Sequence, residues 1–378
     1  LVRTKNVLSV MMQCFAVACL ASVLWFVVGY TAVFGPDGGR WLGGLSKVLL
    51  AGVTAGSVIG NLPETVFAMF QMTFAIIAPA LVVGGFAERT KFSAVLWFSA
   101  LWLLLVYVPV AHWVWGGGWL GSMGLLDFAG GTVVHITAGG AALVGALVLG
   151  PRRGFPETAM PPHNMTMTVT GAGMLWVGWY GFNGGSALNA NGSAGMAILV
   201  THLAASAGAL TWLCIEWRKF GKPSMLGAVT GMVAGLGTVT PASGFVGPGG
   251  ALVIGIAAGM VCFFATLGLK HKLHVDDSLD VFPVHGVGGI LGTFLAGIFS
   301  SPHLGVFSGR GFAAGIGSIG GQLGVQVIGI ASTLVYTLVV SFALYKLIDR
   351  VIGLRVDSDE ETEGLDIVLH NESGYDLR

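Results

Sequence analysis

Long apolar runs bounded by Pro, Gly or charge recur near 8–34, 64–86, 92–112, 129–150, 164–187, 193–217, 225–243, 249–269, 283–300 and 322–348. A helix needs ~20 apolar residues to cross a bilayer, so the pattern predicts ten spans. The runs are too long for a membrane β-barrel and do not alternate. Segment 35–63 (GPDGGRWLGGLSKVLLAGVTAGSVIGNLP) is glycine-rich and only weakly apolar, and reads as an external loop with a short or re-entrant helix. Segment 301–321 (SPHLGVFSGRGFAAGIGSIGG) is its Gly/Ser-rich counterpart. From Arg350 the chain turns polar and acidic, which divides it into a transmembrane domain, 1–349, and a cytoplasmic tail, 350–378.

Composition sharpens the class. Of 378 residues 54% are apolar and 10% charged, against about 25% charged in a soluble domain, which excludes a soluble enzyme. The 18 basic and 18 acidic residues cancel, but their placement is informative. With loops assigned alternately to two sides, the basic residues from Arg3 to Arg378 share one side, and only Arg40, Lys47 and Arg310 fall on the other. That bias places both termini of the chain in the cytoplasm. Sixty-one glycines without a collagen period imply closely packed helices and narrow pores, as around Gly139, Gly140, Gly288 and Gly289. The four cysteines all lie in apolar runs and read as inert thiols.

Polar groups at membrane depth are the candidate chemistry. His112, His135, His202 and His285 fall in or at the ends of spans. His135 (GTVVHITAGG) and His285 (VFPVHGVGG) occupy similar local sequences, one in each half, as an internal repeat with a shared midplane site would have. Two facing imidazoles can share protons. No Cys or carboxylate stands nearby at ligand spacing, so neither a metal nor a cofactor is expected. Asp127, before the first of these histidines, reads either as an N-cap or as a direct cation ligand. Glu88 is expected to pair with Arg89 or a neighbouring Lys, and Asp280 marks another helix end. Trp113 and Trp115 fit an interfacial belt, while Phe70, Phe74 and Trp115 can instead form a cage for a desolvated cation.

The stretches LDFAGGTVVH, AHWVWGGG, WYGFNGGSALNANG, DVFPVHGVGG and GLRVDSDEETEGLD resemble the ammonium transporter (Amt/Mep/Rh) family, in particular its bacterial Amt branch. The resemblance runs over essentially the whole chain. It implies an all-α polytopic membrane protein built on inverted five-helix repeats, with His135 and His285 as twin pore histidines. It also implies Phe74 as a gate ring, Phe70, Trp115 and His202 at an outer ammonium recruitment site, and Asp127 as its supporting acid. Ile198 stands where a second gate phenylalanine is expected, and the family's first span is expected to be missing from this chain. The further implications are a homotrimer in the lipid bilayer of the inner (plasma) membrane, a PII-type signalling protein or fused signalling domain on the cytoplasmic side, and ammonium or ammonia as the transported species. Two functions follow: a transporter that deprotonates NH4+ and conducts NH3, or an ammonium sensor acting through the tail. No intramembrane Ser/Lys, paired-Asp or HExxH constellation suggests an enzyme, and no paired Asn-Pro-Ala motif suggests a water channel.

Overall fold

The computed structural model describes residues 1–375, so Arg378 lies outside the described residues. Ten helical rods match the ten apolar runs: α1 (Thr4–Phe34), α2 (Glu64–Phe86), α3 (Phe92–Ser122), α4 (Gly131–Leu149), α5 (Met165–Gly185), α6 (Gly192–Phe220), α7 (Met225–Val239), α8 (Pro248–Lys272), α9 (Phe282–Phe299) and α10 (Ile319–Ile352). Among the described residues, 8 are long and apolar enough to span a membrane unaided. The other two are α5, diluted by Gly, Thr and Asn, and α7, whose 15 residues end before the turn at 240–243.

Local sequence sets the helix ends. Side-chain oxygens of Asn164, Asn191, Ser224 and Ser318 accept backbone N–H bonds at the starts of α5, α6, α7 and α10. Each satisfies a donor that the first turn leaves free. Helix α10 runs three residues past the expected boundary and stops at Gly353, whose φ of 74° a side chain would strain.

Helices α1 to α4 form one packed group and α6 to α9 another; they meet where α4 lies against α9, and α10 closes over both. That contact depends on missing side chains. A Cβ on Gly139 would stand 2.3 Å from the Gly286 backbone, and one on Gly289 would stand 2.7 Å from the Gly131 carbonyl. Glycine therefore sets how closely the two halves approach.

Segment 35–63 forms no re-entrant helix. It holds a 3-10 turn (Val48–Leu50) and a two-residue hairpin, β1 (Val58–Ile59) with β2 (Leu62–Pro63). Its many glycines and turns leave too few consecutive helix formers to propagate one. The buried His112 ring ties it down, bonding the carbonyls of Val33 and Gly39 at 2.7 Å each. Lys47 pairs with Glu64, and Trp41 packs on Trp113. His112 is thus a loop anchor.

At the opposite end the N-terminus and the tail clasp the loops. Arg355 pairs backbone with Thr90, and two short helices follow, α11 (Ser358–Glu363) and α12 (Leu365–His370). Asp366 accepts the N–H groups of Leu8 and Ser9 at 3.0 and 2.7 Å, capping α1 from outside. Lys5 donates to the carbonyls of Glu361 and Thr362. Glu88 does not pair with Arg89. Its carboxylate meets Arg3 and Arg152, each at 2.9 Å, while Arg152 also holds Asp276 at 2.8 Å. Arg89 instead donates to the Asp276 carbonyl and the Ser278 hydroxyl. Chain turning at Glu88 (φ 73°) separates the two neighbours. Burial alone would push both acids up, but Arg3 and Arg152 hold Glu88, and Arg152 with Arg89 holds Asp276, below the ordinary carboxylate range.

Candidate functional site

The two repeat-like histidines meet where α4 crosses α9. Each lies on a widened π turn that begins its helix, Gly131–Ile136 and Phe282–Gly286. The Nδ1 atoms are 3.2 Å apart and the rings lie within 14° of parallel. His135 is fully buried and His285 nearly so. At this separation one Nδ1 donates to the other, which fixes the tautomers reciprocally and leaves both Nε2 atoms free of the pair. The Nε2 of His135 is buried without a hydrogen-bond partner among the described residues. Gly237 faces both rings: a Cβ there would lie 3.7 Å from His285 and 3.8 Å from His135.

A column of aromatic rings leads from this pair toward the end opposite the tail. Trp179 stacks on His135 at 5.6 Å with planes 6° apart, and Phe182 stacks on Trp179 at 5.0 Å. Phe182 then meets Phe74 edge to face at 4.6 Å. Phe74 in turn touches Phe70 at 4.9 Å and Trp115 at 5.5 Å. Above them opens a cavity of about 300 Å³ lined by Phe70, Phe74, Trp115, Gln71, Ser186 and Phe128 among others.

Asp127 supports this arrangement from behind. Its Oδ1 accepts the N–H groups of Gly130 and Gly131 at 2.7 and 2.6 Å, and its Oδ2 accepts Thr132 N–H at 2.7 Å and the Thr132 hydroxyl. Its carbonyl accepts Trp115 Nε1 at 3.0 Å. Both carboxylate oxygens are committed, so Asp127 caps α4 and orients the indole; the geometry is that of the cap, not of a cation ligand.

The structure thus brings together His135, His285, Phe74, Phe70, Trp115 and Asp127. It does not bring His202 or Ile198 to them. His202 is exposed on α6, bonded to the Tyr180 hydroxyl at 2.7 Å and stacked on Trp176. Ile198 is 39% exposed and packs on Gly184. The second ring against Phe74 is Phe182, and the hydroxyl in the cavity is that of Ser186. Trp179, Phe182 and Ser186 stand at i, i+3 and i+7, which is one face of α5. That spacing was the signal in the WYGFNGGS stretch.

A polytopic helical membrane protein with a buried histidine pair at the junction of two similar halves, reached through an aromatic-walled cavity, is a membrane conduit for a small solute. The model of the Ammonium Transporter Family matches residues 1–375, and this chain belongs to that family. The ammonium transporter of Bacillus subtilis is 45% identical over 99% of this chain and 92% of its own length. Ammonium transporter Amt1 of Archaeoglobus fulgidus is 44% identical over the same shares. Among solved structures, a protein titled Sensor Amt Protein superposes with a TM-score of 0.89 at 29% identity, covering 98% of this chain and 91% of that one. Candida albicans Mep2 gives 0.86 at 37% identity, covering 95% and 81%. Ammonium transport is accordingly the function class of this protein.

Proposed function

We propose that NH4+ is recruited in the aromatic cavity, loses its proton there, and crosses as NH3 past His135 and His285. The observation that carries this reading is the unbroken ring column from Trp115 and Phe70 through Phe74, Phe182 and Trp179 to the histidine pair. Ring faces attract a desolvated cation by up to ~2 kcal/mol without any carboxylate, and the Ser186 hydroxyl supplies an acceptor. The apolar surroundings below the Phe74–Phe182 contact, the floor of that cavity, disfavour charge, so the ion yields its proton to the histidine pair as it leaves the cavity and the neutral amine continues. The imidazoles then offer donor and acceptor positions in place of water. K+ has no proton to lose, and selectivity follows from that chemistry.

In this reading the tail end faces the cytoplasm, as the basic bias along the sequence requires. The protein works as a homotrimer in the plasma membrane, one path per subunit, and a PII-type protein engages the tail face. The test is uptake of labelled methylammonium by proteoliposomes. Phe182→Ala should alter the uptake rate and Ile198→Ala should leave it unchanged; the reverse order would refute the assignment of the gate. A second reading, an ammonium sensor signalling through the tail, is favoured by the ordered clasp of α11 and α12 on the loops and by similarity to the protein titled Sensor Amt Protein. Absence of uptake with retained ammonium binding would select it.

A further inference from the structure

Both pore histidines are preceded at the same distance by an aspartate: Asp127 stands eight positions before His135, and Asp277 eight before His285. Each aspartate accepts backbone N–H bonds at or near the π turn that carries its histidine, Asp277 doing so from Phe282 at 2.6 Å. The two differ in what remains. Donors occupy both oxygens of Asp127. The Oδ1 of Asp277 is buried with no hydrogen-bond partner among the described residues, and the residue as a whole is fully buried. A carboxylate oxygen in that position loses its hydration and gains nothing in return, whereas a protonated carboxyl has an O–H to offer.

We propose that Asp277 is the proton-exchange group at the tail end of the conduction path, taking up the proton that the histidine pair releases and passing it to water on that side. The proposal rests on the deprotonation reading above. The charged neighbours of Asp277 are committed elsewhere. Lys270 pairs with Asp280 at 2.7 Å, and Asp276 is held by Arg152, with Arg89 beside it. Among the described residues Asp277 Oδ1 thus has neither a hydrogen-bond donor nor an ion-pair partner, whereas Asp280 Oδ1, which also lacks a hydrogen bond, is engaged by the Lys270 ammonium. Burial pushes it up to about 7, the Asp280 carboxylate adding to the effect, while the N–H groups of Phe282 and Val281 and the Lys270 ammonium act against it. Its chain neighbours Ser278, Leu279 and Asp280 line a cavity of about 250 Å³ together with Lys270 and Thr230, and exposed Ser224 at its rim opens it to solvent.

The step balances as a proton relay. An N–H bond of NH4+ breaks, leaving its electron pair on ammonia, and an N–H bond forms on the histidine pair; that imidazolium N–H bond then breaks, its electron pair stays on nitrogen, and an O–H bond forms on Asp277 Oδ1 with water as carrier. The resulting neutral acid then transfers the proton to water in the cavity and returns to carboxylate. Asp127 has donors on both oxygens and so no free oxygen to take up a proton; the two repeats use matching aspartates differently, one as an anchor and one as an exchanger.

The experiment uses the full chain in vesicles of phosphatidylcholine and phosphatidylglycerol, with infrared titration of the protonated-carboxyl C=O stretch and ammonium-evoked current on a supported membrane. Wild type should show an acid band with a midpoint near 7. Asp277→Asn, which keeps an acceptor for Phe282 N–H, should lose that band, lose its pH dependence of current around the same midpoint, and conduct at least about tenfold less. Asp277→Glu should restore both readouts. The wild-type titration needs no variant, so a poorly folding substitution does not block the test. Absence of the titrating band, or an Asp277→Asn protein with wild-type current and pH profile, would overturn Asp277 alone. Absence of wild-type current would overturn the transport reading and this one with it.

Discussion

A hydrogen bond between two imidazoles is worth little in water and a good deal where neither ring can turn to solvent. His135 and His285 are in that second situation, and removing one leaves the other's Nδ1 orphaned at a cost of about 1–3 kcal/mol. Glycines around the pair separate packing from conduction. Gly237→Ala would place a methyl 3.7–3.8 Å from the rings, an ordinary contact, so the protein should fold and melt as wild type while methylammonium uptake falls. Gly139→Ala forces a methyl to within 2.3 Å of the Gly286 backbone, so it should destabilise the protein by about 1–3 kcal/mol through overpacking of α4 on α9. Melting temperature and uptake, measured on both variants, distinguish a conduction residue from a packing residue.

At the scale of elements, the π turns at the starts of α4 and α9 are what aim the histidines at each other, and Asp127 fixes the first of them. Asp127→Asn keeps one acceptor oxygen but turns an NH2 toward the donors on the other side and should cost about 1 kcal/mol, whereas Asp127→Ala strands all of these N–H groups and should cost about 1.5–3 kcal/mol in detergent melts. Equal losses in the two variants would mean that charge, not capping, is the contribution. The ten helices were legible in the sequence because spans are long and each must satisfy its own backbone bonds. The histidine pair was legible because two short sequences repeat. The partner of Phe74 was not: Ile198 and Phe182 both lie at the far end of spans, and apolar composition does not say which face of a lipid-exposed helix turns inward. Only the packing of α5 against α2 and α4 decides it. The same limit applies to Glu88, whose partner Arg152 is distant in sequence and comes near only after the chain turns.

Across the whole molecule, the N-terminus and the loops close one end through a buried charge cluster of Arg3, Glu88, Arg152 and Asp276, and the tail docks on the adjoining residues Lys5 and Arg153. Glu88 and Asp276 are held below their ordinary values, so their stabilising contribution is present above about pH 4 and is lost as pH falls through the depressed values. Protease cleavage within 353–375 should therefore be slow near neutrality and rise as pH falls through those depressed values. Arg152→Ala removes the shared partner of two buried carboxylates and should expose the tail at neutral pH, at a cost of about 3–5 kcal/mol.

In the proposed mechanism the His135–His285 pair passes the neutral amine and excludes ions. Its most direct measurement is paired ammonium and K+ flux through proteoliposomes carrying wild type or the double variant His135→Ala, His285→Ala. Wild type should carry ammonium and exclude K+. The double variant should open a wetter path that admits K+ and loses discrimination. Wild-type ammonium flux with K+ still excluded in the double variant would contradict the claim and leave the histidines as packing residues.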